Sequence, residues 1–136
     1  MGQQQLLLII LGVIIVGVAI AVGISMFSGQ SIQSNKDAIL SDLNNLGADA
    51  YQFKIRPASM GGGNGAYDNS AGGTSYAIKT NGPWGTSNPN ATYTATVAAT
   101  TVTFVGSSKT VTGSTVTIAF DANGAGGAPT YTGQFQ

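Results

Sequence analysis

Residues 6–27 of this chain, LLLIILGVIIVGVAIAVGISMF, are 22 consecutive positions without a charge. At ~1.5 Å per residue, a helix of that length covers ~33 Å, enough to cross a bilayer core. Its surface is apolar all round, so it needs either lipid or other protein chains as a lasting surround. A conventional cleaved signal would carry a basic start and a short apolar core before a small-residue cleavage site. Residues 1–5 hold no Lys or Arg, the run is longer than an ordinary signal core, and Phe27-Ser28-Gly29-Gln30 is a poor cleavage site. An anchor or an assembly helix is therefore expected.

Two features of the run favour assembly. Gly17 and Ala21, like Ala19 and Gly23, are small residues four apart, a spacing that lets helices approach closely. The helical pattern also does not stop at a basic cluster, since the first cation is Lys36. It continues as Ile32, Lys36, Ile39, Leu43, Leu46, Ala50 and Phe53, spaced alternately by four and three, which is one stripe of an amphipathic helix. Arg56-Pro57 should end it, because the residue before proline avoids α geometry. Asp37, Asp42 and Asp49 lie off the stripe and read as a solvated face. Gly29 and Gly47 are read as points where the helix bends or loosens.

Beyond the helix the sequence changes character. Residues 60–74 are glycine-rich and read as a connector. Short strands are expected at 75–80, 91–98, 101–105, 109–112, 114–120 and 130–135, with Trp84 in a loop over 83–90 and a glycine-rich turn over 121–128. In 91–98, Thr92, Thr94 and Thr96 alternate with Tyr93, Ala95 and Val97, the pattern of a half-buried strand. The expected fold class is α+β: a long N-terminal helix packed on a small antiparallel sheet of about four or five strands. The expected organisation is a helix over 1–54, hydrophobic over 1–28 and amphipathic over 29–54. Residues 55–136 form the loop and sheet of a globular head that includes the helix's second half. Ile39, Leu43, Leu46, Ala50 and Phe53 are the expected helix-to-sheet contacts.

Composition excludes much else. Charged residues are 7% of the chain and net charge is zero, which gives no footprint for nucleic acid. There is no Cys and no His, so thiol chemistry, the usual zinc sites and the commonest general base are missing. No enzymatic activity, cofactor or metal site is expected. Asp68 and Asp121, with Asn69 and Asn123, fit turn formation better than a calcium loop. Asn90-Ala91-Thr92 is a glycosylation sequon, making Asn90 a candidate modification site.

The N-terminal stretch MGQQQLLLIILGVIIVGVAIAVGISMF, with its amphipathic continuation and trailing sheet, resembles the type IV pilin family. The resemblance is strongest over residues 1–53 and extends over the chain as architecture. It implies a subunit held in the inner membrane by its helix, processed by a prepilin peptidase, methylated at its new N-terminus, and moved by the pilus assembly machinery into an extracellular helical filament on the cell surface. Either Met1 is the first mature residue or cleavage falls between Gly2 and Gln3. The first is preferred, because Met-Gly alone is too short for a leader and has no cation. On that register Met1 carries the methyl group and Gln5 occupies the place of the family's usual Glu. Gln5 accepts a hydrogen bond but forms no ion pair with a neighbour's terminal amine. The implied homo-oligomer interface comprises Met1, Gln5, Leu6, Leu7, Leu8, Ile9, Ile10, Val13, Ile14, Val16, Gly17, Ile20, Ala21, Ile24 and Phe27. Two other readings fit the same residues. One is a membrane-anchored exported binding module using exposed Tyr67, Trp84, Tyr93 and Tyr131; the other is a minor pilin or type II secretion pseudopilin.

Overall fold

The structure is a computed structural model, and it describes residues 2–79 and 85–136. A single helix, α1, runs over Gly2–Ile55. The chain divides into two compact units, Met1–Gln33 and Ser34–Gln136. The first consists of the apolar part of α1. The second, the head, contains the remainder of α1 and all the strands.

α1 forms without a proline until Pro57, and its end is capped by the chain that follows. Gly63 N–H donates to Phe53 O at 2.9 Å, Gly65 N–H to Lys54 O at 2.8 Å, and Asn64 N–H to Arg56 O at 3.0 Å. The last carbonyls of a helix have no partner within it, and here the glycine-rich connector supplies them. A Cβ on Gly63 would fall 1.9 Å from Ala66 O, so this doubling-back tolerates no side chain there. The connector is therefore a folded cap with two short 3-10 turns, Ala58–Met60 and Asn69–Ala71.

The sheet is an antiparallel meander of four strands: β1 (Ala91–Val97), β2 (Val102–Ser108), β3 (Thr115–Phe120) and β4 (Thr130–Tyr131), in the order β1-β2-β3-β4. Its register sets Tyr93 beside Gly106 and Gly106 beside Val116, and Phe104 beside Ile118. Side chains alternate across a strand. Tyr93, Val102, Phe104, Val116, Ile118 and Phe120 therefore share the buried face, and Thr92, Thr94 and Thr96 point to solvent. Residues 34–55 of α1 cover the buried face, completing the expected α+β fold. Ile39, Leu43 and Ala50 are fully buried and Leu46 nearly so, while Phe53 is half-buried. Phe53, Tyr76, Phe104 and Phe120 stack edge to face in sequence, with centroids 5.5, 5.9 and 5.8 Å apart. Such pairs contribute about 0.5–1.5 kcal/mol each beyond area burial.

Several strands differ from expectation. Residues 75–79 form no strand, although Tyr76 is buried and its N–H donates to Tyr67 O at 2.8 Å; Thr80 lies outside the described residues. Residues 109–112 form a turn in which Ser108 Oγ accepts from Val111 N–H. β2 runs through Gly106 to Ser108, because this glycine marks a close approach and not a strand end. A Cβ on Gly106 would lie 2.6 Å from Ile39 Cγ2. The 130–135 segment is split: Gly133, at φ 66°, turns the chain into a 3-10 turn that buries Phe135. Gly47 does not loosen α1. It is where the ring of Phe120 meets the helix, with Cζ 2.2 Å from the position a Cβ would take.

Candidate assembly helix and the polar anchor of the head

Among the described residues of the N-terminal unit, all are exposed except the half-buried Ile32. Every large apolar residue from Leu6 to Phe27 is between 53% and 76% exposed. Gln5, Leu6, Leu7, Leu8, Ile9, Ile10, Val13, Ile14, Val16, Gly17, Ile20, Ala21, Ile24 and Phe27 all lie exposed on the one helix. Met1 lies outside the described residues. Added methyl groups at Gly12, Gly17 and Gly23 would meet nothing within 4 Å. These glycines thus have no packing role inside this unit. The helix is long and apolar enough to cross a membrane.

The head contains a line of polar residues that sequence reasoning misplaced. Asn35, Asp42 and Asp49 are seven apart, so they fall on nearly the same side of α1, along the flank of the apolar stripe. Asp42 is buried, not solvated. Its Oδ2 accepts from Tyr93 Oη at 2.5 Å, from Asn88 Nδ2 at 2.7 Å and from Asn90 Nδ2 at 3.4 Å. Asn35 Oδ1 accepts from Ser108 Oγ at 2.5 Å, and Asn35 Nδ2 donates to Asn90 O at 3.4 Å. Asp49 accepts from Tyr76 Oη at 3.2 Å and pairs with the exposed Lys79 at 3.3 Å. The correction has a simple cause. The sheet is wider than the apolar stripe, so residues beside the stripe are also covered. The heptad spacing of Asn35, Asp42 and Asp49 next to Ile39, Leu43 and Leu46 was the available signal.

Burial of this carboxylate is tolerated because three side-chain donors converge on its Oδ2. Asp42→Ala would leave the Asn88 amide without its acceptor and the Tyr93 hydroxyl with only the longer 3.4 Å contact to Asn88 Oδ1, at about 1–3 kcal/mol for a buried unsatisfied group. We expect Asp42→Ala to lower head stability by about 3 kcal/mol in chemical denaturation, with Asp42→Asn losing less.

Two lysines pin the ends of this layer. Lys36 interrupts the stripe because its ammonium lies 3.9 Å above the Tyr131 ring and donates to Phe135 O at 3.1 Å. Lys54 is buried, donates to Ala122 O, and lies 5.3 Å from the Tyr67 ring centroid. Tyr67 Oη donates to Asp121 O at 2.8 Å.

Burial pushes the Tyr93 phenol well above its ordinary value, with the hydrogen bond to Asp42 acting in the same direction. Tyr76 is raised likewise, by burial and then by the charge of Asp49. A raised folded-state value means that the folded head holds these protons more tightly than the unfolded chain does. The associated stability is complete below the unfolded phenol value of about 10 and falls as pH rises above it. The melting temperature should therefore drop steeply above pH ~10, together with the rise of tyrosinate absorbance, and Tyr76→Phe should flatten that drop.

Other sequence candidates are placed differently from expectation. Tyr67 and Tyr93 are buried, at 0% and 2% exposure, which removes them from any stacking surface. Tyr131 is half-buried under Lys36, and Trp84 lies outside the described residues. Asn90 is half-buried inside the polar cluster, its side-chain nitrogen facing Asp42. Compared with known proteins, the chain matches no family model, no curated protein and no solved structure.

Proposed function

We propose that this chain is the structural subunit of an extracellular filament of the type IV pilin kind. The observation that carries the reading is the exposed apolar helix. Each large side chain from Leu6 to Phe27 is left uncovered by its own chain, while the 34–55 part of the same helix is packed on a sheet. Covering an apolar side chain of this size contributes about 1.5–3 kcal/mol relative to leaving it in water. Before assembly, the inner membrane supplies that cover. In the filament, other copies supply it, and Gly17 with Ala21 and Ala19 with Gly23 allow close helix approach.

On this reading the prepilin peptidase and assembly machinery act on the N-terminal segment. Gln5 carries no charge to pair with a neighbouring amine, so axial register rests on side-chain packing along residues 6–27. The test is to image filaments on the producing cells, purify them and identify their main subunit by mass. Filaments built of this chain are expected. Recovery of the chain only as detergent-extracted monomers, from cells without filaments containing it, would overturn the proposal and favour the anchored module.

A further inference from the structure

The chain contains Asn-Gly pairs at Asn64 and Asn123 within the described residues, and a third, Asn81-Gly82, outside them. Asn followed by Gly is the sequence most prone to spontaneous imide formation, because no side chain shields the following nitrogen. The two described pairs are held very differently. Asn64 donates through Nδ2 to Ala71 O at 2.9 Å and through its own N–H to Arg56 O at 3.0 Å. The attacking nitrogen there, Gly65 N, donates to Lys54 O at 2.8 Å as part of the helix cap. Ring closure at Asn64 must break that cap.

Asn123 is exposed on the turn between β3 and β4, and its side-chain amide has no partner among the described residues. Only the backbone is tied, with Asn123 N–H donating to Asp121 Oδ1 at 2.8 Å and Gly124 N–H to Asp121 O at 3.1 Å. From this difference we infer that Asn123 is a modification site, converted in the folded head to aspartate and isoaspartate while Asn64 is protected. Base removes the Gly124 N–H proton, and the nitrogen attacks Asn123 Cγ. The N–Cγ bond forms, the protonated base returns its proton to Nδ2, the Cγ–Nδ2 bond breaks, and ammonia leaves. Water then opens either carbonyl of the imide, giving Asp or isoAsp, with no oxidant or reductant required.

The position gives the change a consequence. Asp121 O holds the Tyr67 hydroxyl, Ala122 O holds Lys54, and Gly124 lies against the ring of Tyr51, Cδ2 being 2.7 Å from the position of a Cβ. An isoaspartate lengthens the backbone inside this turn and adds a charge next to Asp121. Ageing at residue 123 thus loosens the clamp that joins the turn to the end of α1. The inference does not depend on whether the chain polymerises.

The experiment incubates the full chain in detergent and mildly alkaline buffer, natively and in urea. Peptide mapping follows each site separately, Asn81 on its own peptide. In the native sample Asn123 should convert roughly tenfold faster than Asn64, the rate equivalent of about 1.4 kcal/mol, or one retained hydrogen bond. In urea the two should converge. The melting temperature of the native sample should fall on incubation, and that of Asn123→Ser should fall less. Equal native rates at the two sites, or an Asn123 protected as well as Asn64, would overturn the inference.

Discussion

A Val16→Asp variant should yield no filaments, although its head folds normally. Val16 lies in the middle of the charge-free run, is 57% exposed, and belongs to a unit that shares no residue with the head. An Asp at the centre of a membrane helix costs about 2.5–3.5 kcal/mol on insertion. Among packed helices the cost recurs in every subunit, because no cation lies anywhere in residues 6–27 to pair with it. The expected result has two halves. Electron microscopy shows no filaments, and the detergent-extracted variant melts at the wild-type temperature. Val16→Leu, which keeps the surface apolar, should assemble. Abundant filaments from Val16→Asp would remove the central support for polymerisation through this helix.

The second large effect is expected at Gly47. Its absent side chain is the space that Phe120 fills, and a valine there would place carbon on the ring edge. Phe120 cannot simply swing away, being stacked on Phe104 and buried at 4% exposure. Overpacking of this kind costs about 1–3 kcal/mol and more where the neighbours are fixed. We expect Gly47→Val to destabilise the head by about 3 kcal/mol, lowering its melting temperature by on the order of 15 °C for a unit of this size. Gly29→Ala is the matched control. Nothing lies within 4 Å of the methyl group it adds, so only the helix preference for Ala remains, worth about 0.5–1 kcal/mol in the opposite direction. A Gly47→Val head as stable as wild type would show that helix and sheet are not in such close contact.

The contrast between these two glycines shows what a sequence of this type discloses. Residues four and three apart from Ile39 to Phe53 disclosed the helix, its buried stripe and its end before Pro57, since helical period and proline geometry act locally. The Thr/Tyr alternation in β1 disclosed which face of the sheet meets water. Glycine is ambiguous by nature: at Gly47 and Gly106 it admits a neighbour's ring or methyl group, yet alone it reads as a weak point or a strand end. Polar residues were harder still. Asp42 resembles any solvated helix carboxylate until Tyr93, Asn88 and Asn90 are seen to converge on it from 46 or more residues away in sequence. Tyr76, buried in a segment without regular hydrogen bonding, gave a strand-like pattern for reasons of packing alone. On the N-terminal side, the apolar helix was wholly legible, because nothing but its own composition determines it.

Every ionisable side chain of this protein lies in the Ser34–Gln136 unit, and the helix over residues 6–27 has none. A contact formed by that helix has no charges for dissolved ions to screen. Brine should leave such a contact intact or tighten it, as salting-out ions do for hydrocarbon surfaces. Detergent, which competes for the same surface by wetting it, is the agent that should take it apart.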